Sequence, residues 1–367
     1  MSADSESTSR SLSVRRGESV ALRQNPLVGR GLKEIAQFAD RARAKELFDL
    51  GKACYDSGDY DQAIADYTEA IRLDPAFSEA YSDRAAAYES IEAYEQAIAD
   101  YTEVIRLDPN DASAYWFRGC TYHSQAYHER DNACTTGYYD KAIADFTEAL
   151  RINPKYAQAL EYRGGSHRDK GEYDKAIADY TEAIRLNPND SNAYRGRADI
   201  WHEMGHRDEA LADYTAAIRV SPISPTYKDR GDFYQRTENY DKAIADFTEA
   251  IRLAPSFEPK GFICVCQPTY CARADAYAAK RDYDRAIADY TEVIRLNPKY
   301  ARAYNSRGRA YYAKGDCNRA IADYTMAIRL NPEDATAYNG RGNAYEGKGD
   351  KAKAQEDFAQ AERLGCP

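Results

Sequence analysis

Residues 157–190 read AQALEYRGGSHRDKGEYDKAIADYTEAIRLNPND, and this stretch decides the fold. A first helix runs to about Lys170, where Gly171 can take the left-handed backbone conformation that closes a helix. Glu172 and Tyr173 turn the chain. A second helix follows to Leu186, and Pro188 then forbids continuation and biases Asn187 away from helical dihedrals. Ala176, Ile177, Tyr180, Ala183, Ile184 and Leu186 fall at helical spacing and form one wide apolar face. Helices of about 14 residues are marginal in water, and two of them cannot bury such faces alone. Stacked copies of the same hairpin must cover them.

Those copies are present. The closing phrase returns in forms such as DYTEAIRLDP and DFTEALRINP, ending at Pro75, Pro109, Pro154, Pro188, Pro222, Pro255, Pro298 and Pro332, with a degenerate ninth copy running to Pro367. Most spacings are 34 residues, the period of a two-helix repeat. With each copy numbered 1–34, position 20 is Ala throughout, from Ala63 to Ala354, and position 24 is aromatic throughout, from Tyr67 to Phe358. Position 8 is Gly at Gly51, Gly119, Gly164, Gly231, Gly308 and Gly342, and Ala in the other copies. Gly inside a helix costs roughly 0.5–1 kcal/mol relative to Ala, so its recurrence implies that the two helices of a hairpin approach closely there.

Small, small and aromatic at these offsets resembles the tetratricopeptide repeat family, over residues 44–367. The resemblance implies an all-α, right-handed superhelical solenoid of antiparallel helix pairs. Residues 1–43 are expected to be a flexible basic tail with a short capping helix around Leu32, Ile35, Ala36 and Ala39. The nine repeats then occupy 44–77, 78–111, 112–156, 157–190, 191–223, 224–257, 267–300, 301–334 and 335–367, with an insertion at 258–266. The third repeat carries extra residues between Tyr122 and Tyr139, expected to loop out or lengthen its helices. The ninth places Gln355 and Glu362 where earlier copies are apolar, as a terminal helix facing water requires.

Position 7 is Arg in repeats two to nine but Leu50 in the first, and position 23 is Asp in all nine. The missing first Arg predicts pairing with the Asp of the preceding repeat, as in Arg118–Asp100 and Arg163–Asp145.

Composition narrows the functional classes. Net charge is −10, with +3 over residues 1–43 and −13 over residues 44–367, so the acidic body is a poor electrostatic partner for nucleic acid. No apolar run approaches the roughly 18–20 residues needed to span a bilayer. The N-terminal segment has no apolar core of a secretory signal, and its eight-Cys chain suggests reduced thiols in the cytoplasm.

Several strings imitate catalytic or metal motifs. His202-Glu203-Met204-Gly205-His206 matches H-E-x-x-H, which needs one continuous helix, but Gly205 stands where helix A ends. Gly342 to Gly349 imitates a phosphate-binding loop without its Ser/Thr and without a preceding strand. Cys120, His123, His128 and Cys134 gather in or beside the first insertion; they are chemically adequate for zinc, though the spacing matches no familiar finger, and ordinary thiols are the alternative. Cys264, Cys266 and Cys271 cluster at the second insertion.

In the family resembled, helix A lines the concave surface through positions 2, 5, 6, 9, 12 and 13. Those positions supply acidic side chains early on, Glu79, Asp83 and Glu89 in repeat two, and the aromatic pair Trp116 and Phe117 in repeat three. Repeats eight and nine present Arg302, Asn305, Arg309, Asn339 and Asn343, suited to a peptide backbone or carboxylate. The Lys/Asn/Arg clamp of chaperone-binding members is not supplied by any three consecutive repeats. The expectation is a non-enzymatic adaptor without a cofactor, binding a peptide segment or protein along the groove. The alternative is a metal- or redox-responsive protein using the Cys/His insertion.

Overall fold

The computed structural model describes residues 26–129, 135–254 and 266–365. They form eighteen α-helices and no strand. Helices alternate as the A and B members of nine hairpins, so the fold is an all-α solenoid of antiparallel helix pairs. The chain divides into two compact units, 1–179 and 180–367.

The first unit contains α1 (Pro26–Ser57), α2 (Tyr60–Leu73), α3 (Ser78–Ser90), α4 (Tyr94–Leu107), α5 (Ala112–His128), α6 (Thr135–Ile152), α7 (Ala157–Asp169) and the first half of α8 (Tyr173–Leu186). The second contains the rest of α8, then α9 (Ser191–Glu203), α10 (Arg207–Val220), α11 (Ser224–Arg236), α12 (Tyr240–Leu253), α13 (Cys266–Ala279), α14 (Tyr283–Leu296), α15 (Ala301–Ala313), α16 (Cys317–Leu330), α17 (Ala335–Gly347) and α18 (Lys351–Arg363). Within each unit consecutive helices pack on one another, α1 to α7 in the first and α9 to α18 in the second.

Three differences from expectation have physical causes. The helix ahead of repeat one is not a separate short element: α1 runs unbroken for 32 residues into helix A, because neither Gly nor Pro interrupts it at the junction near Ala44. Residues 26–30 of the expected flexible tail are therefore helical; residues 1–25 lie outside the described residues. The insertion of repeat three lengthens both helices, α5 to 17 residues and α6 to 18, where α3 and α4 of repeat two have 13 and 14. The second insertion lies outside the described residues except for Cys266, which opens α13.

Outside repeat three, whose turn lies beyond the described residues, each hairpin turns through a left-handed residue at position 15. Gly58, Gly171, Gly205, Gly315 and Gly349 take φ of +76 to +85°, but Glu92, Glu238 and Arg281 take the same conformation with a side chain attached, at φ 59 to 62°. Asp and Asn follow and cap helix B: Asp59, Asn239, Asp282, Asp316 and Asp350 accept hydrogen bonds from backbone N–H groups of the first turn.

The core is small residues against one aromatic ring per hairpin. Ala at position 20 is fully or almost fully buried in all nine repeats. A Cβ on Gly119 would stand 2.7 Å from a ring carbon of Phe146, and one on Gly342 would stand 2.6 Å from Phe358. Where position 8 is Ala instead, position 24 is always Tyr and its hydroxyl finds an acid of the same repeat: Tyr101 with Glu89, Tyr214 with Asp199, Tyr290 with Asp275. Gln355 and Glu362 on α18 are exposed.

The conserved-looking Arg pairs differently from the expectation. Arg163 meets Asp179 of its own hairpin, not Asp145, and Arg118 meets Asp145, not Asp100. Each guanidinium uses Nε and Nη2 on the carboxylate and sends Nη1 to a Thr hydroxyl of the preceding repeat, as Arg163 does to Thr147 at 3.2 Å. Thr147 donates its own proton to the Ile143 carbonyl at 2.7 Å, which leaves its oxygen free to accept. So the Arg does join neighbouring repeats, through a hydroxyl. Leu50 of repeat one has no preceding Thr to reach, and is exposed.

Candidate functional site

Arg302, Asn305 and Arg309 lie on one face of α15, and Asn339 and Asn343 on one face of α17, because steps of three and four residues return to the same side of a helix. The second unit brings all five to a single cleft of about 920 Å³. Ala278, Ala310, Tyr312, Tyr324 and Gly340 supply its apolar lining. A Cβ on Gly340 would stand 2.5 Å from the ring of Tyr324, so the glycine keeps this part of the cleft open while the tyrosine fills the space beneath.

The cleft also contains acids, which the groove positions of repeats eight and nine do not supply. Asp275 and Asp334 both line it. Asp334 caps α17 through the backbone N–H groups of Thr336 and Ala337, and its second oxygen accepts the Asn305 amide at 3.0 Å. Asn305 also donates to the Thr336 hydroxyl at 2.8 Å. Asp275 accepts the Tyr290 hydroxyl and lies 3.8 Å from the Arg302 guanidinium. Two Arg and two Asp leave the cleft formally neutral. Burial, and next the charge of Asp275, push the nearby Cys271 thiol up to about 11. Burial holds the Tyr324 phenol up at about 12, while Arg309 pulls the other way. Donors and acceptors therefore alternate around an apolar floor, the arrangement that matches a peptide backbone.

Asp275 stands at position 9 of repeat seven, a groove position, and is legible from the sequence. Asp334 is not: it closes the turn ahead of α17 and enters the cleft only because its capping role points the carboxylate back toward Asn305.

Trp116 and Phe117 belong to the first unit and form an aromatic cluster of their own. Phe117 stacks on Tyr101 at 5.6 Å with the rings 7° from parallel, and Trp116 meets Phe117 and Tyr162 edge-on. Phe117 remains 40 % exposed and Tyr162 39 %.

Among the described residues the metal candidates do not converge. Cys134 lies outside the described residues. His123 Nδ1 contacts the Ser166 hydroxyl at 2.9 Å, while the His128 ring packs against Tyr94. Burial drives the Cys120 thiol well above its ordinary range. Among the described residues no three His, Cys, Asp or Glu side chains gather as a metal site. His202 lies in the last turn of α9 and His206 occupies the N-cap position of α10, with Gly205 at φ +84° between them, so the H-E-x-x-H string is broken across a turn. Gly342 to Gly347 is helical, not a phosphate loop.

One unforeseen Ser–His–Asp set does form, from His123, Ser166 and Asp169, the last 3.6 Å from His123 Nε2. Ser166 is fully buried and donates its proton to the Tyr162 carbonyl at 3.0 Å, so the set holds α5 to α7 and does not expose a nucleophile.

Comparisons agree with the geometry. A model described as TPR repeat matches residues 51–91, 164–205, 274–315 and 308–349, and models described as tetratricopeptide repeat match 78–111, 225–257, 135–156 and 335–364. No curated protein sequence matches the chain. Among solved structures it is similar to the APC/C hetero-tetramer Cut9–Hcn1, at 18% identity and a TM-score of 0.50, over 78% of this chain and 52% of that one. It is also similar to a tetratricopeptide repeat protein from Parabacteroides merdae, at 23% identity and a TM-score of 0.46, over 67% of this chain and 93% of that one. Yeast Tom70 is similar at 18% identity and a TM-score of 0.41, over 88% and 85%. The chain thus spans about half the length of the Cut9–Hcn1 chain it matches. Likeness at these identities concerns the fold alone.

Proposed function

Because the chain belongs to the tetratricopeptide repeat family, we propose that it is a non-enzymatic adaptor that holds an extended peptide segment of a partner protein in the cleft of repeats seven to nine. The observation that carries the reading is the cleft itself: about 920 Å³, with Arg309, Asn339 and Asn343 around an apolar floor. Arg309 is exposed on α15 and supplies a charge-assisted donor for a carbonyl or carboxylate. Asn339 and Asn343 supply amides that pair with both sides of a peptide bond. Asn305 serves the cleft indirectly, held by Asp334 and Thr336. A net charge of −10 favours a protein over a nucleic-acid partner. A cytoplasmic setting is supported by Cys54, Cys120, Cys271 and Cys317, all free thiols. Among the described residues no helix is long and apolar enough to cross a membrane.

The test begins with proteins retained by the intact chain and proceeds by calorimetry with the retained segment. Arg309→Ala is expected to weaken binding about tenfold or more, since a hydrogen bond to a charged group contributes roughly 1.5–3 kcal/mol. Asn343→Ala is expected to cost less, as a neutral bond contributes roughly 0.5–1.5 kcal/mol. Unchanged affinity in both, with circular dichroism intact, removes the cleft from consideration.

A further inference from the structure

Glu89 is a half-buried carboxyl without a counter-ion among the described residues. It sits in the last turn of α3, and among the described residues its oxygens accept from two hydroxyls, those of Tyr101 at 3.4 Å and Thr121. Among the described residues no Lys or Arg pairs with it, whereas Asp100 on the next helix has Arg84 and Asp229 in the second unit has Arg195. Burial lifts the Glu89 carboxyl above its ordinary range, and the only opposing influences are the same two hydroxyls. A second carboxylate, Glu161 on α7, adds to the influence of Glu89 that raises the Cys120 thiol, after burial, the larger cause.

The same spot carries the first unit's exposed aromatic surface. Tyr101 joins the two features, because its ring stacks on Phe117 while its hydroxyl meets Glu89. Trp116 stands edge-on to both Phe117 and Tyr162, at 4.9 and 5.5 Å between ring centres. Its indole N–H is buried without a hydrogen-bond partner, a donor still to be satisfied. Aromatic faces attract cations and apolar side chains together, and a desolvated carboxylate gains most from a cation brought to it.

We propose that α3, α5 and α7 form a second docking surface, for an apolar segment bearing arginine or lysine, with Glu89 as the counter-ion and Phe117, Trp116 and Tyr162 as the apolar contact. The occupant follows from charge complementarity: this surface offers carboxylates and rings, while the cleft of repeats seven to nine is formally neutral. The proposal rests on the reading of the chain as a binding array, but on different residues from the cleft.

Trp116 and Trp201 are the chain's two tryptophans, so Trp201→Phe leaves Trp116 as the sole indole reporter. That full-length protein is titrated with acetyl-Leu-Arg-Leu-Arg-Leu-amide and with the counterpart carrying Glu in place of Arg, following indole emission. The basic peptide is expected to give a saturable change and the acidic one none. Glu89→Gln, which keeps the side-chain shape, and Phe117→Ala are each expected to raise the dissociation constant at least tenfold, with melting followed by circular dichroism as the folding control. Arg309→Ala is expected to leave this titration unchanged. The absence of a saturable change, equal response to both peptides, or parental affinity in Glu89→Gln overturns the proposal. Loss of the signal in Arg309→Ala overturns it too, by placing the peptide in the cleft. A failure of the cleft variants with their own partner leaves this result untouched.

Discussion

Arg118 and Asp145 are joined by two parallel hydrogen bonds of 2.8 and 2.7 Å although 27 positions separate them, where the other repeats that carry this Arg make the same pair across 16. The difference is the insertion of repeat three, and the pair survives it because the extra residues extend α5 and α6 beyond the contact. The Asp side chains of these pairs are 10% exposed or less. Two charges so placed depend on each other.

Removing one partner therefore exposes the cost of the other. Arg163→Ala is expected to destabilise by about 3–5 kcal/mol, because Asp179 is left buried with no cation in hydrogen-bond contact, the His167 ring standing 4.0 Å away. Thr147→Val leaves the Arg163–Asp179 pair in place and removes the bond between the repeats, together with the hydroxyl's own bond to the Ile143 carbonyl, and is expected to cost about 0.5–1.5 kcal/mol. Urea unfolding of both variants gives the comparison; equal losses would show that the Arg acts mainly between repeats after all.

Glycine at position 8 offers a graded test of packing. A Cβ at Gly119 would lie 2.7 Å from Phe146, whereas at Gly308 the nearest atom of Tyr324 is 3.2 Å away. Gly119→Ala is expected to destabilise by about 1–3 kcal/mol through overpacking. Gly308→Ala asks its neighbour to move by tenths of an ångström and regains up to about 1 kcal/mol of helix propensity, so its melting temperature is expected to lie near the parent's. If the two variants melt together, ring contact is not what selects glycine here.

Relief of backbone strain should stabilise the turns that lack glycine. Glu238 and Arg281 hold φ of 61 and 62°. Left-handed backbone costs a residue with a Cβ roughly 1–2 kcal/mol, partly offset by the greater unfolded-state freedom of glycine. Arg281→Gly is thus expected to gain up to about 1 kcal/mol in chemical denaturation, and a loss of stability would contradict the strain argument.

Acid should dissolve one local network. Hydrogen bonds from Lys175, Lys170 and His167 lower the Glu172 carboxyl from 4.5 to about 2. A group depressed on folding contributes stability that is complete above its unfolded value and vanishes as pH falls toward the folded one. The urea midpoint of the parent should exceed that of Glu172→Gln near neutrality, and the gap should close between about pH 5 and about pH 2. A gap that stays constant or widens on acidification would assign the stabilisation elsewhere.

Much of the site was readable in advance, and the exceptions share a cause. Arg302, Asn305, Arg309, Asn339 and Asn343 converge because helical periodicity alone puts them on facing sides of α15 and α17. What that periodicity hides is Asp334, which belongs to a turn, and the bond that ties Asn305 to it. Likewise Trp116 and Phe117 are legible as aromatic groove positions, but the unpaired state of Glu89 beneath them depends on α3, α4 and α5 together.

By itself the sequence determined the repeat, its hairpins, the left-handed turn at Gly171 and the close approach of Gly119 to an aromatic ring. All of these follow from residues within one 34-residue period, where the helical repeat leaves the chain little choice. Only the tertiary structure decided that Arg163 takes Asp179 and gives Asp145 to Arg118. Both carboxylates recur with the same period, so spacing cannot separate them. The choice is made by how helix A crosses the B helices on its two sides: its own hairpin's B helix presents the carboxylate, and the preceding one presents a threonine whose proton is already engaged.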